Sequence, residues 1–505
     1  MANFINLAFT FLMHALLPSL ISIIVLLVLH CRKKLRWLYN DDGDDEIVPP
    51  GELGLPWIGE TIEFYKALQK NRLFEDFIAP RIQKHGKTFK TKLMGCPTIV
   101  VNGAEANRFF LSNEFKLVVS SWPSSSVQLM GKNSIMEKTG EKHRLIRSIL
   151  APCLGNAGLE ALVPKVCEVI KAHLLKNWGG NNNSIITNNG KEKIIPMYKT
   201  AKFLTFKVIC ECLLEMEAKE ELFECFERVL EGVFAPLVNV PGTSFWRAKR
   251  ARAKIEKVLV NVVRNKRKNM EEKQQEFGDE SENLSSLLSR LVGALIRGEI
   301  TEVEVVDNVV LLIFAAHDTT SFAVAMTFKM LAHNPHCYSL LLQEHNDIKA
   351  NKTKEAENLT MEDVMRMKYT WQVARESIRL CPPIFGSFRR AISDIKFDGF
   401  TIPKGWKVLW TAYGTHLSEE YFRDPMRFDP SRFEEPISPY VYVAFGGGPR
   451  VCVGYQLAKL NILIFVHLVV TYYNWSLVQP NEPIVMDPLP FPSQGMPIKI
   501  SPKTC

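Results

Sequence analysis

Residues 445–454 read Phe-Gly-Gly-Gly-Pro-Arg-Val-Cys-Val-Gly. Cys452 lies in this glycine-rich loop, and the apolar run that follows it, through Val469, predicts a helix. Free backbone N–H groups and the positive end of a helix dipole stabilise a thiolate and lower its pKa, and Arg450 adds a cation two residues away. The loop therefore suits a sulfur that must stay anionic while bonded to iron. An isolated cysteine beside a turn is more often a buried structural residue, so this interpretation depends on the rest of the chain.

The composition is that of a large globular protein, and it argues against several classes of function. The chain has 505 residues, of which 47% are apolar and 23% are charged, which is sufficient for an extensive core. The net charge of +8 is mild, and no long Lys/Arg stripe is interleaved with aromatic residues, so no nucleic-acid partner is indicated. The eleven cysteines include no Cys-x-x-Cys pair, which argues against a zinc site or a disulfide framework and favours a reducing compartment.

The N-terminal residues 1–31 predict a single transmembrane helix that anchors the chain. Residues 4–29 contain no Asp, Glu, Lys or Arg and are long enough to span a bilayer. A basic cluster at 32–36 follows at once, which by the positive-inside rule places the remainder in the cytosol. A linker of basic and acidic residues with a proline-rich hinge is expected over 32–59, and one globular domain over 60–505. A buried core helix is the alternative interpretation of the apolar run.

A long helical run at 303–330 carries polar residues at its centre, where Asp318, Thr319 and Thr320 follow Phe-Ala-Ala-His. A charged residue and two hydroxyls inside so apolar a helix are costly unless they serve a purpose. Threonine can donate a hydrogen bond to a carbonyl one turn earlier and loosen the helix, which would open a groove for dioxygen and water. An incidental Thr-Thr pair in a core helix is the alternative.

Two further pairs have the spacing of one helical face. Glu376 and Arg379 are three residues apart, and His143 and Arg147 are four apart. Such pairs are common on solvated helix surfaces, and on spacing alone a solvated basic face is the better interpretation of His143 and Arg147. Turn residues in the stretches 88–102 and 397–409 predict two β-hairpins.

Together these motifs resemble those of the cytochrome P450 family. The pattern Phe-x-x-Gly-x-Arg-x-Cys-x-Gly at 445–454 is similar to its haem-ligand loop. The residues at 315–320 are similar to its oxygen-activation motif, with Ala316 in place of the usual Gly. Glu-x-x-Arg at 376–379 and the segment 424–433 are similar to the parts that form its core network. The resemblance implies a mostly α fold with a small β region, tethered by one N-terminal transmembrane helix.

The resemblance also assigns roles around a haem. It covers about residues 48–500, so the domain over 60–505 would be a haem-thiolate catalytic domain. Cys452 would be the axial ligand of the iron in a b-type haem, and Phe445 belongs to the same cofactor-binding loop. The family usually has Trp where this chain has His143. The residues expected to meet the haem propionates are Arg450, His143, Arg147 and Arg389.

Proton delivery and core structure are assigned to other residues. The resemblance implies that Thr319 and Asp318 form an acid–alcohol pair that delivers protons to bound oxygen. It also implies that Glu376, Arg379 and Arg432 form a buried charge network behind the haem. The role of that network would be structural.

The reaction implied is hydroxylation of a C–H bond with O2 and electrons from NADPH. The chain has no Gly-x-Gly-x-x-Gly nucleotide motif, so the electrons would come from a separate NADPH–cytochrome P450 reductase in the endoplasmic reticulum membrane. Further segments are similar to a plant clan that contains triterpene oxidases of the beta-amyrin type and taxane hydroxylases, namely 367–374, 383–389, 402–406 and 487–492. A lipophilic polycyclic terpenoid is therefore the expected substrate, taken up by an enzyme that contacts membrane lipid.

Two other functions remain open. A haem-thiolate isomerase or lyase would rearrange hydroperoxides without O2 or a reductase, and the Asp318–Thr319 pair and the membrane anchor argue against it. A non-catalytic membrane protein that binds haem or sterol would have no need of a proton-delivery pair.

Overall fold

The structure, a computed structural model, describes residues 47–178, 193–277, 286–351 and 358–503, together with the single residue Ser22. Apart from Ser22, the predicted membrane anchor at 1–31 lies outside these residues, as does most of the linker that follows. From Val48 onward the chain forms one compact unit. Helices dominate it and the strands are short, which confirms the predicted mostly α fold with a small β region.

The helices and strands follow one another along the whole described chain. The α-helices are α1 Thr61–Gln69, α2 Ala79–His85, α3 Ala104–Ser112, α4 Ser124–Met130, α5 Gly140–Leu154, α6 Asn156–Glu160, α7 Val163–Trp178, α8 Met197–Val208, α9 Glu220–Leu230, α10 Ser244–Phe277, α11 Leu287–Ile296, α12 Glu302–His333, α13 Pro335–Ala350, α14 Met361–Arg366, α15 Lys368–Leu380, α16 Tyr413–His416 and α17 Tyr455–Tyr472. The strands are β1 Thr88–Leu93, β2 Cys96–Val101, β3 Val118–Ser120, β4 Lys193–Pro196, β5 Gly386–Ala391, β6 Ile395–Phe397, β7 Phe400–Ile402, β8 Lys407–Thr411, β9 Tyr473–Leu477, β10 Ile484–Met486, β11 Pro490–Pro492 and β12 Pro497–Pro502.

The strands form one five-stranded sheet and three smaller sheets. The large sheet has the order β1-β2-β8-β5-β3, in which only the β2–β8 pair is parallel. Hairpins are present in both predicted stretches, as β1–β2 and β6–β7, but the second ends at Ile402, because β8 pairs with β2 and β5 instead. Their two-residue turns, Met94-Gly95 and Asp398-Gly399, have positive φ at both positions, as the twist of a tight hairpin requires.

Helix α12 runs through the centre of the helical core. A capping box closes its N-terminus, because the hydroxyl of Thr301 accepts the Glu304 N–H and the Glu304 carboxylate accepts the Thr301 N–H. Helices α8, α10, α15 and α17 pack against α12. Among the described residues, α12 and α17 are apolar and long enough to cross a membrane, but most of each is buried in the protein. They are therefore core helices.

A buried charge network forms at the C-terminal half of α15. Arg379 donates from Nε to Glu376 Oε2 at 2.6 Å and from Nη2 to Glu376 Oε1 at 2.8 Å, and both residues are fully buried. Arg432 Nε lies 3.3 Å from Oε1 of the same carboxylate. Arg379 also donates to the backbone carbonyls of His416 and Pro425. The structure thus brings together the three residues of the predicted network and joins α15 to two later segments of the chain.

We expect Arg379→Ala to lower the free energy of unfolding by about 3–5 kcal/mol, because Glu376 would remain as a buried carboxylate without its main cation. Arg72→Ala is a matched control, since Arg72 pairs with Asp76 at the exposed protein surface, and it should leave stability nearly unchanged. Urea unfolding followed by circular dichroism measures both variants. Equal effects of the two substitutions would contradict a special role for the buried network.

Candidate active site

The loop that carries Cys452 has a backbone path that requires glycine. Gly448 has φ +63°, and a Cβ atom built on it would lie 1.9 Å from the Leu111 carbonyl oxygen, so any side chain would collide with the end of α3. The Cys452 N–H donates to the Phe445 carbonyl at 2.9 Å, which closes the loop. The Phe445 ring packs edge-to-face against Tyr455, with centroids 4.7 Å apart, at the first residue of α17. Cys452 is therefore presented just before a helix N-terminus, as predicted.

The electrostatics around Cys452 differ from the expectation. The residue is accessible to solvent by surface area, yet it lies in a recess where surrounding protein raises the pKa of its thiol. The Gly454 N–H and the positive charge of Arg147 act in the opposite direction but do not outweigh burial. The prediction that the loop alone lowers this pKa is wrong, because the cost of burying an anion exceeds the effect of one donor and one cation. Metal coordination deprotonates a thiol outright, so a bound iron would supply the stabilisation of the Cys452 thiolate that the loop does not provide.

Arg450 points into the protein. Its Nε donates to Glu114 Oε1 at 2.7 Å. Its other nitrogens donate to the backbone carbonyls of Ile135 at 3.2 Å, Met136 at 3.1 Å and Lys138 at 2.7 Å. Because protein groups accept from all three of its nitrogens, Arg450 fixes the Cys452 loop to Glu114 and to the segment after α4.

Glu114 is a site residue that the sequence analysis missed. Its buried carboxylate lies 2.7 Å from Arg389 Nε as well as 2.7 Å from Arg450 Nε, and it accepts from the Ser120 N–H at 2.9 Å. Arg389 also donates to the Ser387 hydroxyl at 2.8 Å. Glu114 thus joins two arginines that were both predicted to meet haem propionates. No local motif marks it, since its two arginine partners lie hundreds of residues away in the sequence.

His143 and Arg147 lie on one side of α5, and Arg147 is near Cys452. The His143 ring is buried against Phe115, with centroids 5.0 Å apart. Burial, together with the nearby cations Arg450 and Arg147, lowers the pKa of His143 to about 4. At neutral pH His143 can therefore offer an N–H group to an anion, but no positive charge, whereas Arg147 offers a cation beside the sulfur.

The middle of α12 has one solvent-accessible face, whereas most residues on its other faces are buried. Ala315 is exposed and Thr319 is partly exposed. Thr319 Oγ1 donates to the Ala315 carbonyl at 2.8 Å, which is the backbone contact predicted from the sequence. Ala316, which replaces the usual Gly, is only partly buried. A hydroxyl with a fixed direction is thus available on this face of the helix.

Asp318 lies on a different face of α12 from Thr319. It is buried, with Oδ1 2.7 Å from Lys202 Nζ of α8 and Oδ2 3.2 Å from His317 Nε2. Lys202 Nζ also contacts Glu227 Oε1 of α9 at 2.6 Å. Asp318 and Thr319 were predicted as a functional pair because they are adjacent in the sequence. No local pattern indicates Lys202 or Glu227 as their neighbours, since these two residues lie on separate helices.

These residues fit a thiolate-ligated haem. Cys452 provides an accessible sulfur that receives one backbone hydrogen bond, which is the donor that such an iron requires. Arg147 places a cation beside it that suits the carboxylates of a porphyrin. Thr319 provides a hydroxyl on an accessible helix face.

The lowered pKa of His143 has a consequence for stability in acid. Below pH 6.5 the unfolded chain binds a proton at His143, but the folded chain does not until pH about 4. Stability should therefore fall as pH is lowered from 6.5 towards 4, and His143→Gln should make this fall shallower. His336→Gln is the control, because His336 is exposed. Thermal unfolding measured between pH 4 and 7 tests the prediction, and a His143→Gln variant with the full wild-type slope would contradict it.

Comparisons with known proteins agree with this geometry. Residues 49–501 match the family model described as Cytochrome P450. The chain is 38% identical to the taxoid 14-beta-hydroxylase of Taxus cuspidata, over 99% of this chain and 95% of that protein. It is 35% identical to the protopanaxadiol 6-hydroxylase of Panax ginseng, over 96% of this chain and 98% of that protein.

A solved structure has the same fold. The retinoic acid bound cyanobacterial CYP120A1 superposes with a TM-score of 0.78 at 30% sequence identity, covering 91% of this chain and all of that one. Family match, relatives and fold are consistent with the Cys452 loop and with the Thr319 face of α12. The chain belongs to the cytochrome P450 family and is a monooxygenase.

Proposed function

We propose that this chain is a membrane-bound haem-thiolate monooxygenase that hydroxylates a C–H bond of a polycyclic terpenoid, of the taxane or triterpenoid type. The observation that carries the substrate class is its near full-length similarity, at 35–38% identity, to hydroxylases named for taxoids and for protopanaxadiol. The reaction class rests on family membership and on the accessible Cys452 sulfur.

The overall reaction inserts one oxygen atom of O2 into a C–H bond and releases the other as water, with two electrons and two protons consumed. The thiolate-ligated haem iron, when bound, supplies oxygen activation and O–O cleavage. Cys452 would hold the iron, and Arg147 and Arg389 are proposed to meet its propionates. His143 would add a neutral N–H donor, and Arg450 would keep the loop in place through Glu114.

Thr319 and Asp318 are proposed to handle the protons. The Thr319 hydroxyl is directed by the Ala315 carbonyl, so its lone pairs remain free to accept a proton or a water on the accessible face of α12. Asp318, the preceding residue in the helix, would resupply that face with protons. For each proton delivered, Asp318 must lose a proton and regain one, which happens twice in a turnover.

Membrane attachment and a reductase partner complete the proposal. The chain would be anchored in the endoplasmic reticulum by its N-terminal helix, with the catalytic domain in the cytosol and electrons supplied by NADPH–cytochrome P450 reductase. Two surface segments carry large exposed apolar side chains that suit contact with lipid. They are Leu55, Trp57, Ile58, Ile62 and Tyr65 in the first segment, and Phe234, Leu237, Val238 and Val240 in the second.

Thr319→Ala distinguishes a monooxygenase from the two alternatives. In a monooxygenase we expect about a tenfold or larger fall in product formed per NADPH consumed, with the electrons appearing in hydrogen peroxide. A hydroperoxide isomerase or lyase would keep its activity, and a binding protein would consume no NADPH.

Thr327→Ala is the matched control for this measurement, because Thr327 Oγ1 donates to the Ala323 carbonyl at 2.8 Å in the same helix, but from a buried position. Equal coupling in the Thr319→Ala and Thr327→Ala enzymes would contradict the proposed role of Thr319.

Product analysis tests the substrate class. Microsomes containing the full chain and a plant reductase should add one oxygen atom to a taxane-type diterpene or to a pentacyclic triterpene in an NADPH-dependent reaction, as detected by mass spectrometry. Cys452→Ser is the negative control and should lose the thiolate–haem absorption of the reduced, carbon monoxide-treated enzyme. Wild-type enzyme with that absorption but without product on either scaffold would refute the proposed substrate class.

A further inference from the structure

Four charged or titratable side chains meet between helices α8, α9 and α12. Lys202 Nζ lies 2.6 Å from Glu227 Oε1 and 2.7 Å from Asp318 Oδ1. His317 Nε2 lies 3.2 Å from Asp318 Oδ2 and 3.7 Å from Glu227 Oε1. We call these four residues the α12 cluster. Such a buried arrangement is costly to form, and the roles proposed above use only Asp318 of the four.

The α12 cluster is unsuited to a metal ion. The ligand atoms of Glu227, His317 and Asp318 lie within 4.8 Å of one another, which is compatible with a cation. However, the Lys202 ammonium bonds both carboxylates and would repel a second positive charge. The cluster is better suited to holding and moving protons.

The orientation of His317 determines which of its nitrogens can exchange a proton. Nδ1 lies 2.8 Å from the Ile313 carbonyl oxygen, and because a carbonyl only accepts, Nδ1 carries a hydrogen. Nε2 is therefore the titrating nitrogen, and it faces carboxylate oxygens of both Asp318 and Glu227. Burial of the imidazole disfavours its charged form, but the two carboxylates favour the imidazolium and outweigh burial, so the pKa of His317 is raised.

The groups that face His317 come from every helix packed around it. The charged ones are Asp318 of α12, Glu227 of α9 and Lys202 of α8, whose cation opposes the two carboxylates. The phenol of Tyr198, also on α8, faces Asp318 and Glu227. Aromatic rings with centroids 6.0–6.4 Å from the imidazole keep the rest of its surroundings apolar, namely Phe206, Phe223, Phe226 and Phe314.

Glu227 is the member of the α12 cluster that reaches solvent. Its side chain is 37% exposed, compared with 8% for Lys202, 2% for Asp318 and 0% for His317. His317 Nε2 makes no hydrogen bond to either carboxylate, because Glu227 Oε1 is too far away at 3.7 Å and the 3.2 Å contact with Asp318 Oδ2 is not aligned for one. Small rotations of the partly exposed Glu227 side chain and of the Asp318 carboxylate would complete both links. At the buried end, Asp318 immediately precedes Thr319 and its accessible hydroxyl.

We propose that Glu227 and His317 form the path by which protons reach Asp318 from solvent, and that Lys202 holds the two carboxylates at the ends of this path. The proposal rests on the proposed monooxygenase function, which consumes two protons in each turnover. The imidazolium proton passes from Nε2 to Asp318 Oδ2, and Glu227 then returns a proton from solvent to Nε2, so the charge of the cluster is restored. Glu227 and His317 act through Asp318 and contact neither substrate nor cofactor.

The test uses the full haem-loaded enzyme with Glu227→Gln and His317→Gln. Glu215→Gln is a matched control, because Glu215 is also 37% exposed and bonds Lys266 at 2.7 Å, but it has no link to Asp318. His173→Gln is the second control, since His173 is a buried histidine on α7, outside the cluster. The absorption of the reduced, carbon monoxide-treated enzyme verifies haem loading and folding in every variant.

The first readout is the pH profile of product formed per NADPH consumed. A path that needs the imidazolium should work below the pKa of His317 and fail above it. We expect Glu227→Gln to move the midpoint of this profile down by about one pH unit, because His317 loses one of its two carboxylates. His317→Gln should lower coupling about tenfold and remove this midpoint, whereas both controls should keep the wild-type profile.

The second readout needs neither substrate nor reductase. Nuclear magnetic resonance of enzyme with labelled histidine follows the titration of His317, which is assigned by its loss in His317→Gln. We expect a pKa above the ordinary value in the wild type and a lower one in Glu227→Gln. An unchanged titration in Glu227→Gln would overturn the proposal, whatever substrate the enzyme uses.

The two readouts separate failure of this proposal from failure of the proposed function. If the wild type forms product and the profiles of Glu227→Gln and His317→Gln match those of the controls, the proton path is refuted while the monooxygenase function stands. If the wild type oxidises no terpenoid, the substrate proposal fails, and the His317 titration still decides whether Glu227 and His317 are coupled as the path requires.

Discussion

The active-site geometry depends on one buried carboxylate, Glu114. A buried carboxylate is tolerated only when cations and hydrogen-bond donors compensate it, and Glu114 obtains these from Arg389, Arg450 and Ser120. Arg389 belongs to β5, whereas Arg450 lies two residues before Cys452. One acidic side chain therefore fixes the sulfur-bearing loop relative to the large sheet.

The segment between α4 and α5 extends this connection to α12. Its backbone carbonyls accept hydrogen bonds from Arg450. The same segment also contacts α12, because the Ile135 N–H donates to the Asn308 side chain at 2.9 Å and Lys138 Nζ lies 2.9 Å from Glu304 Oε1. Gly131 allows the chain to pass close to α12, since a Cβ atom there would overlap the Asp307 side chain. The Cys452 loop and the N-terminal half of α12 are thus held by the same short segment.

Much of this arrangement could be predicted from the sequence, because its signals are local. The Cys452 loop has fixed residues within ten positions, the Asp-Gly turn is adjacent to its strands, and Thr319 bonds a carbonyl one turn away. Glu114 and Lys202 could not be predicted, since each acts on partners from distant parts of the chain and no spacing rule applies. The pKa of Cys452 was predicted in the wrong direction for a related reason: the donors are visible in the sequence, whereas the amount of surrounding protein is not.

The two sides of α12 have different surroundings at the centre of the helix. Ala315 and Thr319 lie on an accessible side, where a substrate and oxygen can be accommodated. His317 and Asp318 lie on a side that α8 and α9 cover with charged and aromatic groups. Because successive residues of a helix are about 100° apart, neighbouring positions can serve two environments of opposite polarity. On the proposed proton path, protons would approach from the side of the helix that α8 and α9 cover, which leaves the accessible side with Thr319 for a lipophilic substrate.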